Sequence, residues 1–332
     1  MKQDVHITSH SALIRMQGEE FLVADGESTR RLEACRVGNF FLHTNAEMTT
    51  PALKFAAARE IGVHFLDGSG RLLAALVPPA RCGVELRARQ HQLAPDAAFG
   101  HEVARQIVTA KLHACTRLLR NYRRLLGREA PGWRELQAMT RSLPAGEGLF
   151  GAEGSAARRY WELYARLLRS AHGFASRQAR PPADPVNSML SFGYHVLTGM
   201  LAATLHAEGF ENALGYLHAA DEKRPTLAID MIEPLRALAV DRLVLRLWNN
   251  RVLQTADFEQ TGEGCYLTRP GRRIFLREFH AWLSRPLRAS LRPVGAEKSF
   301  CLLDAAQHNR VQLRRMIETA TPGAFWPKAG DA

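Results

Sequence analysis

The stretch VARQIVTAKLHACTRLLRNYRRLL, residues 103–126, decides how the chain divides. Val108, Leu112, Cys115, Leu119, Tyr122 and Leu126 recur in steps of four and three, the stripe of an amphipathic helix. Arg105, Lys111, Arg117, Arg120, Arg123 and Arg124 fall on its other faces. Upstream the pattern is β-like. Ala12–Met16, the polar run Gln17-Gly18-Glu19-Glu20 and Phe21–Val23 read as strand, turn, strand. Arg36–Leu42 is a further strand, and Val63–Leu66, Asp67-Gly68-Ser69-Gly70 and Arg71–Val77 form a second hairpin. Between them Thr50-Pro51 opens a short helix that Gly62 closes, and Pro78-Pro79 ends the block because proline cannot donate to a ladder. Downstream, helical patterning runs to about residue 320, broken at Pro131-Gly132, Pro144-Ala145-Gly146 and Pro181-Pro182. The expectation is an α+β multidomain chain: a small β-rich N-terminal domain over 1–80, a linker over 81–97 and a larger all-α domain over 98–332.

With 332 residues, 46% hydrophobic and 23% charged, the chain can bury a large core unaided. This excludes a disordered chain, a collagen-like fibre and a disulfide miniprotein. Lys+Arg is 44 against 33 for Asp+Glu, a net charge of +11, nearly all of it arginine. Arginine grips phosphate through a planar fork, so a polyanion partner stands beside plain codon bias as the explanation. Cys35, Cys82, Cys115, Cys265 and Cys301 are scattered singly, against a disulfide framework or thiolate zinc and in favour of a reducing compartment. MKQDVHITSH carries no apolar signal region, and no window reaches the ~18 apolar residues of a membrane span. A cytoplasmic protein without a membrane partner is expected.

Three places carry candidate chemistry. Glu153 is the one acid in a run of Gly, Ser and Ala where a helix begins. Asp230 and Glu233 stand three apart, on one face of a helical turn, among Leu227, Ile229, Met231 and Ile232. Such acids are costly to bury without a positive partner, either a divalent cation or Arg236. His218 precedes them; taken alone, it reads as a partly buried core histidine. Two carboxylates with one imidazole suit Mg²⁺ or Mn²⁺. A Walker loop, a dinucleotide fingerprint and a Gly-x-Ser-x-Gly elbow are all missing, which sets aside ATPases, dehydrogenases and α/β-hydrolases.

At these residues the sequence resembles the CRISPR-associated integrase family (Cas-one), the larger protein of spacer acquisition. The family's Glu-Gly-x-Ala-Ala-x-x-Tyr segment is matched from Glu153 to Tyr160 and its Asn-x-x-Leu-Ser-Phe-Gly-Tyr segment from Asn187 to Tyr194. Its Leu-His, followed by Ser/Thr-Leu-x-x-Asp-x-x-Glu-Pro-x-Arg, is matched from Leu217 to Arg236. Met48–Leu53, Leu76–Pro79, Cys265–Thr268 and Gly271-Arg272 are family-like too. Trp161, Thr226 and Leu235 depart mildly and remove no ligand.

The resemblance implies a β domain before a helical one and a metal, Mg²⁺ or Mn²⁺, held by Glu153, His218 and Glu233, with Asp230 as an additional catalytic acid. It implies strand transfer: the 3′-hydroxyl of a short DNA attacks a phosphodiester at a CRISPR repeat boundary. Lys223, Arg224, Arg158 and Arg159 are the expected DNA contacts on double-stranded and branched DNA, with a solvated helix face as the plain alternative for each. Tyr160, Asn187, Tyr194 and Arg236 are expected to support the site. A homodimer built through the β domain is implied, two of them joined by a small partner protein (Cas-two). The chain ends soon after the helical domain, so no extra DNA-binding module is expected. A metal-dependent nuclease acting on branched or single-stranded DNA would use the same residues, and a DNA-binding scaffold with a vestigial site is the third reading.

Overall fold

The computed structural model describes residues 3–7, 9, 11–26, 28–42, 45–67, 72–78, 83–122, 132–144, 146, 148–169, 173–179, 181–293 and 295–328. Arg123, Arg124 and Leu126 of the opening helix, Gly68–Arg71 of the second hairpin, Pro79, Cys82, Pro131 and Ala145 lie outside them.

Two four-stranded sheets build the N-terminal part. The first runs β1 (Gln3–Ile7), β5 (Val37–Leu42), β7 (Gly62–Leu66), β8 (Leu72–Leu76), parallel until β8, which pairs antiparallel with β7. The second runs β4 (Thr29–Glu33), β3 (Glu20–Ala24), β2 (Leu13–Gln17), β6 (Glu47–Met48). The strands of both expected hairpins pair antiparallel. In the first, Gln17 pairs with Glu20 and Gly18 takes φ 58°, a left-handed position that suits glycine. The short helix α1 spans Thr50–Ala58, and its cap lies one residue before the expected one: the Thr49 hydroxyl accepts from the Ala52 amide. Gly62 belongs to β7 rather than closing α1.

β5 is buried along its whole length because it is used on both faces. Phe40 and Leu42 pack inside the β core with Ile14, Phe21 and Val63, whereas Phe41 and Leu66 meet Ala203 of the helical part. His6 lies between Phe41, at 4.7 Å, and His280 of the helical part, at 4.6 Å.

The helical part comprises α2 (Val84–Leu93), α3 (Ala97–Asn121), α4 (Trp133–Arg141), α5 (Gly148–Ala165) and α6 (Pro185–Ala207). It continues with α7 (Thr226–Arg236), α8 (Arg242–Asn249), α9 (Arg269–Leu283) and α10 (Leu302–Thr319). α2 falls within residues 81–97, where a linker was expected, and sends Leu86 and Leu93 into the main core. α3 starts earlier than the pattern suggested, at Ala97, where the Asp96 carboxylate caps the Phe99 amide at 3.0 Å. Its stripe is core as expected: Val108, Leu112 and Leu119 are fully buried. Burial of each stabilises the fold by roughly 1.5–3 kcal/mol. The all-α expectation needs one correction, a hairpin of β9 (Phe258–Thr261) and β10 (Gly264–Leu267). Among the described residues no helix is long and apolar enough to cross a membrane.

Pro234 sits inside α7, which passes directly into a π-helical turn over Ala237–Asp241 and then α8. Proline removes one amide from the helical ladder, and the widened turn follows it. α3, α5, α6 and α7 frame the site.

Candidate active site

Glu153 and Glu233 arrive from different helices. Glu153 lies in the second turn of α5, because that helix starts at Gly148 rather than at the acid. Glu233 lies on α7 and is 2% exposed. Between them stands Lys111 of α3, its Nζ 2.6 Å from Glu153 Oε1 and 2.7 Å from Glu233 Oε2. The first contact is a hydrogen bond. The second is a charge contact without hydrogen-bond geometry, so Oε2 is a buried carboxylate oxygen with no hydrogen bond. The other oxygen of Glu233 accepts from Arg236 one turn on. The Arg236 guanidinium also lies 4.0 Å over the Tyr194 ring.

Burial alone would favour the neutral carboxyl of Glu233, but Arg236 and Lys111 outweigh it and hold its pKa at about 2. Burial likewise works against the Lys111 ammonium, and Glu233 and Glu153 reverse that, raising its pKa. Glu233 and Lys111 are therefore ionised at neutral pH.

Asp230 shares α7's face with Glu233 but does different work. Its Oδ2 accepts the amides of Tyr216 and Leu217 at 2.6 and 2.9 Å. Its Oδ1 accepts the amide of His218 at 3.1 Å and meets His218 Nδ1 at 2.6 Å. A buried carboxylate thus closes the 215–218 loop around itself. Gly215 is needed there, because a Cβ would lie 2.9 Å from Asp230 Oδ2 and 2.6 Å from the His218 carbonyl. With Nδ1 given to the carboxylate, Nε2 is the ring nitrogen that remains for a ligand. The hydrogen bond to Asp230 raises the His218 pKa, and Glu233 and Lys111 both lie near enough to act on its charge.

Behind the acids is a second polar cluster centred on Asp241, in the π-helical turn. Tyr160 donates to its Oδ2 at 2.6 Å, Tyr194 donates to Oδ1, and Tyr164 donates to its carbonyl at 2.9 Å. Burial, reinforced by Asp241, pushes the Tyr160 and Tyr194 phenols well above their usual pKa. Asn187 is a loop pin: it accepts from Arg177 and from the Gln178 amide, and donates to the Ser176 carbonyl and to Asp184. Arg177 in turn lies 5.4 Å from the Tyr194 ring centroid.

The four expected phosphate contacts separate. Lys223, Arg224 and Arg158 are exposed. Arg159 is engaged by Glu135 and Glu162, and its aliphatic stem packs over Gly132. Among the described residues no three His, Cys, Asp or Glu side chains stand as a ready metal cluster, and Lys111 contacts both Glu153 and Glu233. Lys111, Asp241 and Arg177 were not expected at the site. The pattern of α3 had placed Lys111 on a polar face, and only its pairing with an acid 42 residues away reveals its position.

A sequence profile for the CRISPR associated protein Cas1 family matches residues 5–281. The chain belongs to the Cas1 family. It is 37% identical over 291 residues to a "CRISPR-associated exonuclease Cas4/endonuclease Cas1 fusion" of Geobacter sulfurreducens, covering 83% of this chain and 52% of the fusion. The chain thus spans about half the length of that relative. It is 33% identical over 297 residues to "CRISPR-associated endonuclease Cas1 1" of Thermus thermophilus, covering 89% of this chain and 90% of that one. Among solved structures, a chain of the "Partial Cas6-RT-Cas1--Cas2 complex" superposes with a TM-score of 0.77 at 23% identity, covering 98% of each chain. A casposase bound to its integration product superposes with a TM-score of 0.75 at 19% identity, covering 100% of this chain and 95% of that one. At these identities the likeness is one of fold.

Proposed function

We propose that the protein is a metal-dependent DNA integrase and endonuclease of CRISPR adaptation, joining short DNA fragments into a repeat array by 3′-hydroxyl transesterification. One observation carries this reading: Glu153 and Glu233, drawn from separate helices, converge on a single positive charge beside a histidine locked by Asp230. The donors fit a divalent cation. Two carboxylates already share one cation, Glu233 Oε2 is buried without a hydrogen bond, and Asp230 directs the lone pair of neutral His218 to Nε2. Glu153, His218 and Glu233 would hold Mg²⁺ or Mn²⁺. A divalent cation bound there supplies Lewis-acid charge that eases deprotonation of the attacking hydroxyl and stabilises negative charge at phosphorus.

The protein's own groups divide the remaining work. Arg236 keeps Glu233 ionised, and Asp230 fixes the ring of His218. Exposed Lys223, Arg224 and Arg158 bind phosphates and set the register of the duplex. Arg159 is held by Glu135 of α4 and Glu162 of α5. Tyr160 and Tyr194 are no nucleophiles, because their hydroxyls donate to Asp241 and their pKa values are raised. The balance of the step is simple. One P–O bond forms from the donor 3′-oxygen, one P–O bond to the target strand breaks, and the proton passes to the departing 3′-oxygen. With water as nucleophile the same site hydrolyses DNA, the reading favoured by the word endonuclease in the relatives' names.

A Cas2 partner is proposed from the neighbouring Cas1–Cas2 complex. Homodimerisation is proposed through the β part, where β8 and β4 end their sheets and Leu73 on β8 is 58% exposed. The test is a branched, half-integrated DNA incubated with protein in Mn²⁺, in Mg²⁺ and in EDTA. Branch release with resealing of the target strand, dependent on metal, is expected. Release without resealing leaves the nuclease reading, and binding with neither reaction leaves only a scaffold.

A further inference from the structure

Among the described residues, Lys111 is the one cation that touches both acids, and its chemistry differs from that of Arg236. Arg236 holds Glu233 alone and is itself stacked on Tyr194, so it is built into the wall. Lys111 reaches its acids on a flexible stem from α3, through one hydrogen bond and one contact lacking hydrogen-bond geometry. Its side chain is 16% exposed, which leaves a route outward. An ammonium is a point charge with rotatable donors, whereas a guanidinium is a rigid fork. Two carboxylates brought this close would repel each other with nothing between them.

We propose that Lys111 is a resident counter-cation: its ammonium keeps Glu153 and Glu233 converged in the metal-free protein and swings out of the site when a divalent cation enters. The inference rests on the metal-site reading above and extends it to how the site stays assembled before loading. No covalent step is involved; two ion contacts of Lys111 are exchanged for the cation. Loading therefore competes with a built-in charge, and Lys111 lowers the intrinsic metal affinity of the site it preserves. Once displaced, the ammonium lies at the edge of the site, where DNA phosphate is present during the reaction.

Two measurements on the full chain test this. The first is Mn²⁺ binding by calorimetry to wild type, Lys111→Met, Lys111→Arg and Glu153→Gln. Lys111→Met should bind Mn²⁺ about tenfold or more tightly than wild type, equivalent to about 1.4 kcal/mol. Lys111→Arg should stay near or below wild type, and Glu153→Gln should bind poorly. The second uses wild type alone: acetylation of Lys111 by a water-soluble reagent, followed by peptide mass spectrometry with and without Mn²⁺. Labelling should rise severalfold at Mn²⁺ saturation while that of exposed Lys223 stays constant. Unchanged Lys111 labelling with Mn²⁺ bound overturns the counter-cation role even if Lys111→Met does not fold. Equal or weaker Mn²⁺ binding by folded Lys111→Met overturns it as well and leaves the metal site standing. No Mn²⁺ binding by wild type or Lys111→Met overturns both.

Discussion

Glu233 and Asp241 are both 2% exposed and lie on one continuous helical run, yet their surroundings are opposite. Glu233 is held by two cations, and its pKa falls to about 2. Asp241 is held by the hydroxyls of Tyr160 and Tyr194, and burial raises its pKa above the usual aspartate value. Burial of a carboxylate does not by itself mark a reaction centre. What separates the two is whether a partner can be exchanged for a ligand. Lys111 keeps 16% of its side chain exposed, whereas both tyrosines are packed into the core.

The largest expected effect sharpens this division. Glu153→Gln keeps the shape of the side chain and leaves Glu233 paired with Arg236. Strand transfer on the branched substrate should fall by roughly 10³-fold, with the melting temperature nearly unchanged. Asp241→Ala should do the reverse. It leaves two buried phenols without their acceptor and should cost roughly 3 kcal/mol in denaturant unfolding. Asp241→Asn, which keeps one acceptor, should cost less. An Asp241→Ala protein that folds normally and loses only catalysis would erase the distinction.

Acid titration separates the pair by sign. Glu233's folded pKa of about 2 lies below its ordinary 4.5, so its contribution is complete above pH 4.5 and is lost as pH falls towards 2. That contribution is on the order of 3 kcal/mol. Asp241's pKa is raised, so acidification through it favours the folded state. Unfolding measured from pH 6 to 2.5 should therefore show a smaller acid loss for Glu233→Gln than for wild type. Asp241→Asn should show an acid loss at least as large as wild type. Equal slopes in all three proteins would contradict the assigned environments.

The smallest expected effect concerns the basic surface. Arg224→Ala should weaken DNA binding across sequences and reduce the slope of log K against log salt by about 1. Arg159→Ala should leave that slope unchanged, because its guanidinium is taken by Glu135 and Glu162.

Much of this was legible in the sequence. The β2–β3 hairpin announced itself through a polar turn between apolar runs, and the stripe of α3 through its spacing. β1 and β4 did not: β4 reads TRRLE, mostly exposed, without the alternation that marks a half-buried strand. β9 and β10 are four residues each, too short to stand out against helical surroundings. At the site, Glu153, His218, Asp230 and Glu233 were all singled out, and the shared face of Asp230 and Glu233 follows from their spacing. Their division of labour did not follow, because Asp230's partners are backbone amides of a loop. Lys111 looked like one more basic residue on α3, and its role depends on helices that only the tertiary fold brings together. Arg159 was legible in part, since Glu162 one turn later offered a local partner.

The most direct test of the account is a crystal of the protein soaked in Mn²⁺, with anomalous diffraction collected at the manganese edge. One peak within coordination distance of Glu153, His218 Nε2 and Glu233, with Lys111 turned away, is the expected result. A peak elsewhere, or none at saturating Mn²⁺ with Lys111 still bridging the two acids, would contradict it.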